Sequence, residues 1–79
     1  MRLDKFLKVS RVIKRRPVAN EACDSGRVII NGKVAKASTE VKVGDIVEIK
    51  FGEKMVKFEV MAINEVATKE NAEGMIKPL

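Results

Sequence analysis

Seven cationic side chains, Arg2, Lys5, Lys8, Arg11, Lys14, Arg15 and Arg16, fall within residues 1–16, and Asp4 is the single acid among them. That stretch carries a net charge of +6, while the other nine cations and ten acids leave the rest of the 79-residue chain at −1. Guanidinium and ammonium groups at this density attract polyanions and donate charge-assisted hydrogen bonds to phosphate oxygens, with a strong dependence on salt. A charge run is ordinarily a solvated helix face. Here almost nothing acidic neutralises it, which points to an anionic partner.

Other chemistries lack their parts. The sequence has no His, no glycine-rich phosphate loop and no nucleophile placed beside a base, so no catalytic residues and no cofactor are expected. A chain this short also encloses few sizeable pockets. Cys23 is the only cysteine, too few for an internal disulfide or a Cys/His zinc site, and its neighbours Ala19 and Ala22 mark it as a core residue. No apolar run reaches the length of a membrane span, and Met1-Arg2-Leu3-Asp4-Lys5 does not resemble a secretory signal. The expected location is the cytoplasm, with no membrane partner.

The elements that must position the cations follow from hydrophobic spacing. Leu3, Phe6 and Leu7 keep the i, i+3, i+4 period of a buried helical stripe, which turns Arg2, Lys5 and Lys8 outward. The period breaks over Val9 to Ile13, where Ser10, Val12 and Ile13 predict a bend before Lys14-Arg15-Arg16. Pro17 opens a second helix running to about Ser25, with Val18, Ala19, Ala22 and Cys23 inward and Gly26 as a left-handed stop. Lys14 to Arg16 then lie at its positive end, where a phosphate is favoured by both helix and side chains.

Beyond Gly26 the pattern becomes that of strands. Val28-Ile29-Ile30 runs into Asn31-Gly32, the dipeptide suited to a type I′ hairpin turn, and a return strand starts at Lys33. After a turn at Gly44-Asp45, Val47, Ile49 and Phe51 alternate with Glu48 and Lys50. Past Gly52-Glu53, Val56, Phe58 and Val60 alternate with Lys57 and Glu59. The expected fold is α+β: two N-terminal helices on a small curved, mainly antiparallel sheet. Residues 1–63 are expected to form the binding domain, and 64–79 a short helix or flexible tail.

Phe6, Phe51 and Phe58 are the only aromatics and all are predicted core residues, so base stacking has no platform. Recognition is expected to depend on phosphates and the shape of structured RNA. An adaptor docking its basic face on an acidic protein is the second reading.

Arg2-Leu3-Asp4-Lys5-Phe6-Leu7, Arg15-Arg16, Gly26-Arg27-Val28-Ile29-Ile30-Asn31-Gly32 and Val43-Gly44-Asp45 together resemble the RNA-binding domain named after small-subunit ribosomal protein S-four, over roughly residues 1–60. Lys5-Phe6-Leu7-Lys8-Val9-Ser10-Arg11, Ile13-Lys14-Arg15-Arg16 and Ala35-Lys36-Ala37-Ser38 resemble the stand-alone RqcP family, relatives of the fifteen-kilodalton heat-shock protein. Where that pattern has a hydroxyl cap before the second helix, this sequence has Lys14-Arg15.

The resemblance implies binding to a stalled large ribosomal subunit carrying peptidyl-tRNA, with contacts to large-subunit rRNA and to the tRNA. It also implies support of alanine-tail elongation by the partner RqcH; the chain itself is expected to be a monomer. Other RNA-binding work in translation or ribosome assembly is the alternative within the same fold. The matching positions put Arg2 and Arg16 first as phosphate contacts, followed by Lys5, Lys8, Arg11, Lys14 and Arg15, with Arg27 and Lys36 extending the surface. Asp4 is expected to support the helix dipole or pair with a nearby Arg. Arg16, as an exposed side chain, is expected to matter little to folding.

Overall fold

The computed structural model describes residues 1–66 and 68–79. Leu3, Phe6 and Leu7 are fully buried along one side of helix α1 (Leu3–Val9), as their spacing requires. Helix α2 (Arg16–Asp24) lays Ala19, Ala22 and Cys23 against it. Small side chains there let the two helices approach closely. A five-stranded antiparallel sheet packs beneath, in the order β2-β1-β3-β4-β5. Its strands are β1 (Val28–Ile30), β2 (Lys33–Val34), β3 (Ile46–Phe51), β4 (Lys54–Val60) and β5 (Ile76–Pro78), with a third helix, α3 (Lys69–Glu73), before the last. Val28, Val47, Ile49, Phe58 and Val60 fill the space between sheet and helices.

Helix α2 ends in a Schellman motif. Gly26 sits at φ +81°, its N–H donates to the Cys23 carbonyl, and the Arg27 N–H reaches back to Ala22. Asn31 and Gly32 both take positive φ, 51° and 84°, as a type I′ turn demands. The Asn31 side chain then bridges to the next turn, donating to Asp45 Oδ1 and accepting from the Ile46 N–H. The expected bend between the helices is present over residues 10–15.

Three inward assignments are corrected. Val18 is 49% exposed, because it lies about 100° around the helix from Ala19, at the border of a stripe that Ala19, Ala22 and Cys23 already complete. Phe51 is 38% exposed and so is Val56. Phe51 lies on the β3–β4 hairpin beyond the Val28–Ile49 pair where β1 begins, and Val56, opposite Ile49 on β4, lies beyond the Phe58–Pro78 pair where β5 ends, so each has a neighbouring strand on one side only. The C-terminal stretch also holds a strand that the sequence pattern did not signal. Residues 76–78 pair with β4, and Met75 just before them is fully buried.

Candidate nucleic-acid interface

Backbone hydrogen bonds fix where the first residues of the chain lie. The Leu3 N–H donates to the Thr39 carbonyl and the Asp4 N–H to Ala37, while the Val41 N–H donates to Met1. Arg2 forms a single antiparallel bridge with Glu40. Arg2 is therefore held by the main chain before its side chain meets anything. The loop that carries exposed Lys36 is the one making these contacts, which brings Lys36 to the N-terminal end of α1.

Asp4, only 2% exposed, is the centre of the site. Its Oδ1 accepts from Arg2 Nε at 3.2 Å and from the Lys5 backbone N–H at 2.9 Å. Its Oδ2 accepts from Arg16 Nε and from Asn20 Nδ2, each at 3.3 Å. Burial pushes the carboxyl pKa up. The hydrogen bonds from Asn20, Arg16 and the Lys5 N–H, with the Arg16 charge, more than offset this and hold it below the ordinary 3.8. The Arg2 and Arg16 side chains remain about half exposed, at 52% and 48%. Each guanidinium thus gives Nε to the buried acid and turns its remaining donors to solvent. Asp4, Arg16, Pro17 and Asn20 line a shallow surface groove.

Helix α2 begins without a side-chain cap: Arg15 occupies the cap position with extended backbone, φ −121° and ψ 130°. Pro17 in the first turn has no N–H to leave unpaired. Arg11 stops α1 as Gly26 stops α2. It takes a left-handed φ of 63°, with its N–H donating to Lys8 and the Ile13 N–H to Leu7. Glycine is the usual residue in such a position.

The structure brings Arg2 and Arg16 together on Asp4, whereas Lys36 lies near the start of α1 on a loop bonded to Asp24, at the end of α2 away from Arg16. Lys5 and Lys8 are half-buried on α1, and Arg11, Lys14 and Arg15 are exposed in the connecting bend. Lys5 is paired with Glu65, and Arg11 lies beside α3 with Lys69 and Glu73. Arg27 stands apart, next to Lys50 in a cleft between the end of α2 and the β3–β4 hairpin. Sequence reasoning missed Asn20 and Glu65. Asn20 follows Arg16 by four residues on one helix face, a spacing that could have disclosed it; Glu65 is too distant in sequence to give a signal. Cys23 is buried and its thiol is pushed up to about 11, by burial first and then by the Asp4 and Asp24 charges.

Among the described residues, no group of three His, Cys, Asp or Glu could hold a metal ion, and no helix is long and apolar enough to cross a membrane.

An S4 domain family model matches residues 1–47. An RQC P-site tRNA stabilizing factor of Halalkalibacterium halodurans is 57% identical over 91% of this chain and 82% of that protein. Its counterpart from Streptococcus pneumoniae is 55% identical over 95% of this chain and 85% of that protein. The chain belongs to the RQC P-site tRNA stabilizing factor family. The trimeric structure of Vibrio cholerae heat shock protein 15 superposes with a TM-score of 0.91. That match, at 26% identity, covers all of this chain and 81% of the other. The S4 domain segment of this tRNA stabilizing factor family member contains every cation selected from the sequence, including Arg27 and Lys36.

Proposed function

We propose that this chain is a non-catalytic RNA-binding factor of ribosome-associated quality control. It binds the stalled large ribosomal subunit together with peptidyl-tRNA, contacts large-subunit rRNA and the tRNA, and supports alanine-tail elongation by RqcH. It acts in the cytoplasm, on the ribosome, as a monomer. Residues 1–63 are the RNA-binding unit, and 64–79 are an extension whose last strand adds to the sheet. Arg2 and Arg16 lead the phosphate contacts, with Lys5, Lys8, Arg11, Lys14, Arg15, Arg27 and Lys36 around them.

The observation that carries this reading is the pair of half-exposed guanidiniums anchored on buried Asp4, within a chain 52–57% identical to several P-site tRNA stabilizing factors. Such a surface suits phosphates of a folded RNA. A salt titration of binding to purified large subunits tests it. Several phosphate contacts give a log–log slope of about 0.7–0.9 per contact, and a flat response overturns the polyanion reading. Copurification with and without nuclease separates the second reading: partners lost with the RNA support RNA binding, and partners retained support an adaptor on an acidic protein.

A further inference from the structure

A buried carboxylate in the middle of a cationic surface weakens the field that draws in RNA. Asp4 is the only acid among residues 1–16, and it is 2% exposed. Yet it bonds both guanidiniums, one through each oxygen, and in both cases through Nε. An arginine held this way keeps its terminal NH2 groups for a second acceptor. It has also surrendered rotamer freedom before the ligand arrives, which reduces the ordering cost of binding. Asn20 and the Lys5 N–H supply the remaining donors, so the carboxylate cannot turn away from this arrangement without stranding a buried charge.

We infer that Asp4 is a positioning residue for RNA: it touches no phosphate, but aims Arg2 and Arg16 as one two-pronged phosphate clamp. Asn20 completes the clamp by fixing the orientation of the carboxylate. This rests on the RNA-binding reading above and deepens it. The inference opposes a net-charge account in sign. Removing an acid from a basic surface strengthens binding if charge alone counts, whereas losing the clamp weakens it.

The test measures affinity for purified large ribosomal subunits and for bulk tRNA at matched salt, using the full chain. Asp4→Asn is compared with Glu65→Gln, which removes the exposed acid paired to Lys5 and leaves the guanidiniums untouched. Asp4→Asn is expected to weaken binding about tenfold, while Glu65→Gln leaves it unchanged or slightly tighter. In an Arg2→Ala/Arg16→Ala background the Asp4→Asn effect should vanish, a result that a general loss of structure would not give. Should Asp4→Asn fail to fold, NMR of the unaltered protein decides. Slowly exchanging Nε–H resonances of both Arg2 and Arg16 at neutral pH support the clamp, and rapidly exchanging ones overturn it. Equal or tighter binding by Asp4→Asn overturns the inference alone. Failure of the unaltered chain to bind either RNA overturns the RNA-binding reading and the inference with it.

Discussion

The Phe6 ring of α1 and the Phe58 ring of β4 stack with centroids 6.4 Å apart and planes inclined by 24°. The contact joins α1, which carries Asp4, Lys5 and Lys8, to an inner strand of the sheet, and both rings are buried. Phe58→Ala should cost about 3–5 kcal/mol. In a domain of this size that is a large share of a total stability of roughly 5–15 kcal/mol. Urea unfolding should show the loss. Phe58→Leu, which keeps most of the volume, should lose less.

Arg16→Ala should weaken binding to large subunits by about tenfold or more, roughly 1–3 kcal/mol for a charge-assisted contact. Lys57→Ala is the matched control: it removes one positive charge from β4, far from the cluster, where the side chain only approaches Glu48 at 4.0 Å. Equal losses from the two would show that Arg16 contributes charge and not geometry. Arg16→Lys should behave more like the alanine variant, because an ammonium cannot serve Asp4 and a phosphate with one planar fork. The structure revises the expectation that folding ignores Arg16. Its removal leaves buried Asp4 one donor short, so Arg16→Ala should also show a modest drop in melting temperature.

The uncapped start of α2 sets stability against binding. Arg15→Ser supplies a hydroxyl where the backbone is already extended, and should stabilise the fold by about 1 kcal/mol. For a chain this small that corresponds to roughly 4–8 °C in melting temperature. Binding to large subunits should weaken, since a cation is lost and the hydroxyl occupies an N–H at the helix end. A variant that melts higher and also binds more tightly would contradict the phosphate role of this corner.

Acid should loosen the same corner. The Asp4 pKa is lower in the folded chain than its ordinary 3.8, so its contribution to stability is fully present above that value. It is lost as pH falls through the lower folded value. Urea midpoints followed between about pH 5 and pH 2 should fall for the unaltered protein, and Asp4→Asn should flatten that fall. Glu65 is also lowered by Lys5, but it is fully exposed and screened, so Glu65→Gln should leave the profile nearly unchanged.

Local signals made much of this molecule legible. The Leu3, Phe6, Leu7 stripe, the Gly26 stop and the Asn31-Gly32 turn each act through neighbouring residues, and each appears as expected. What escaped depends on distance in sequence. Strand β5 is three residues ending in Pro78, too short to show a period, and it exists because β4 offers an open edge and Met75 fills the core. Phe51 and Val56 alternate as core residues do, but the lengths of the flanking strands β1 and β5, not the alternation, decide where burial stops. At the interface the cations were visible as composition. The carboxylate that organises two of them was visible only as an exception to that composition. The left-handed backbone at Arg11 had no sequence signal at all, because arginine is not a residue that announces such a turn.

The two borders of the sheet are both blunt. On one side stands β2, two residues long, and on the other β5, three residues ending in a proline that has no N–H to donate. A strand from another molecule arriving at either border finds only a few ladder positions, with Lys33 or Lys77 beside them, and the part of the β4 edge that β5 leaves uncovered carries Lys54 and Lys57. Unfolded and nascent segments would therefore gain little by adding to this sheet. Resistance to such β-type coaggregation follows from the brevity of its outermost strands.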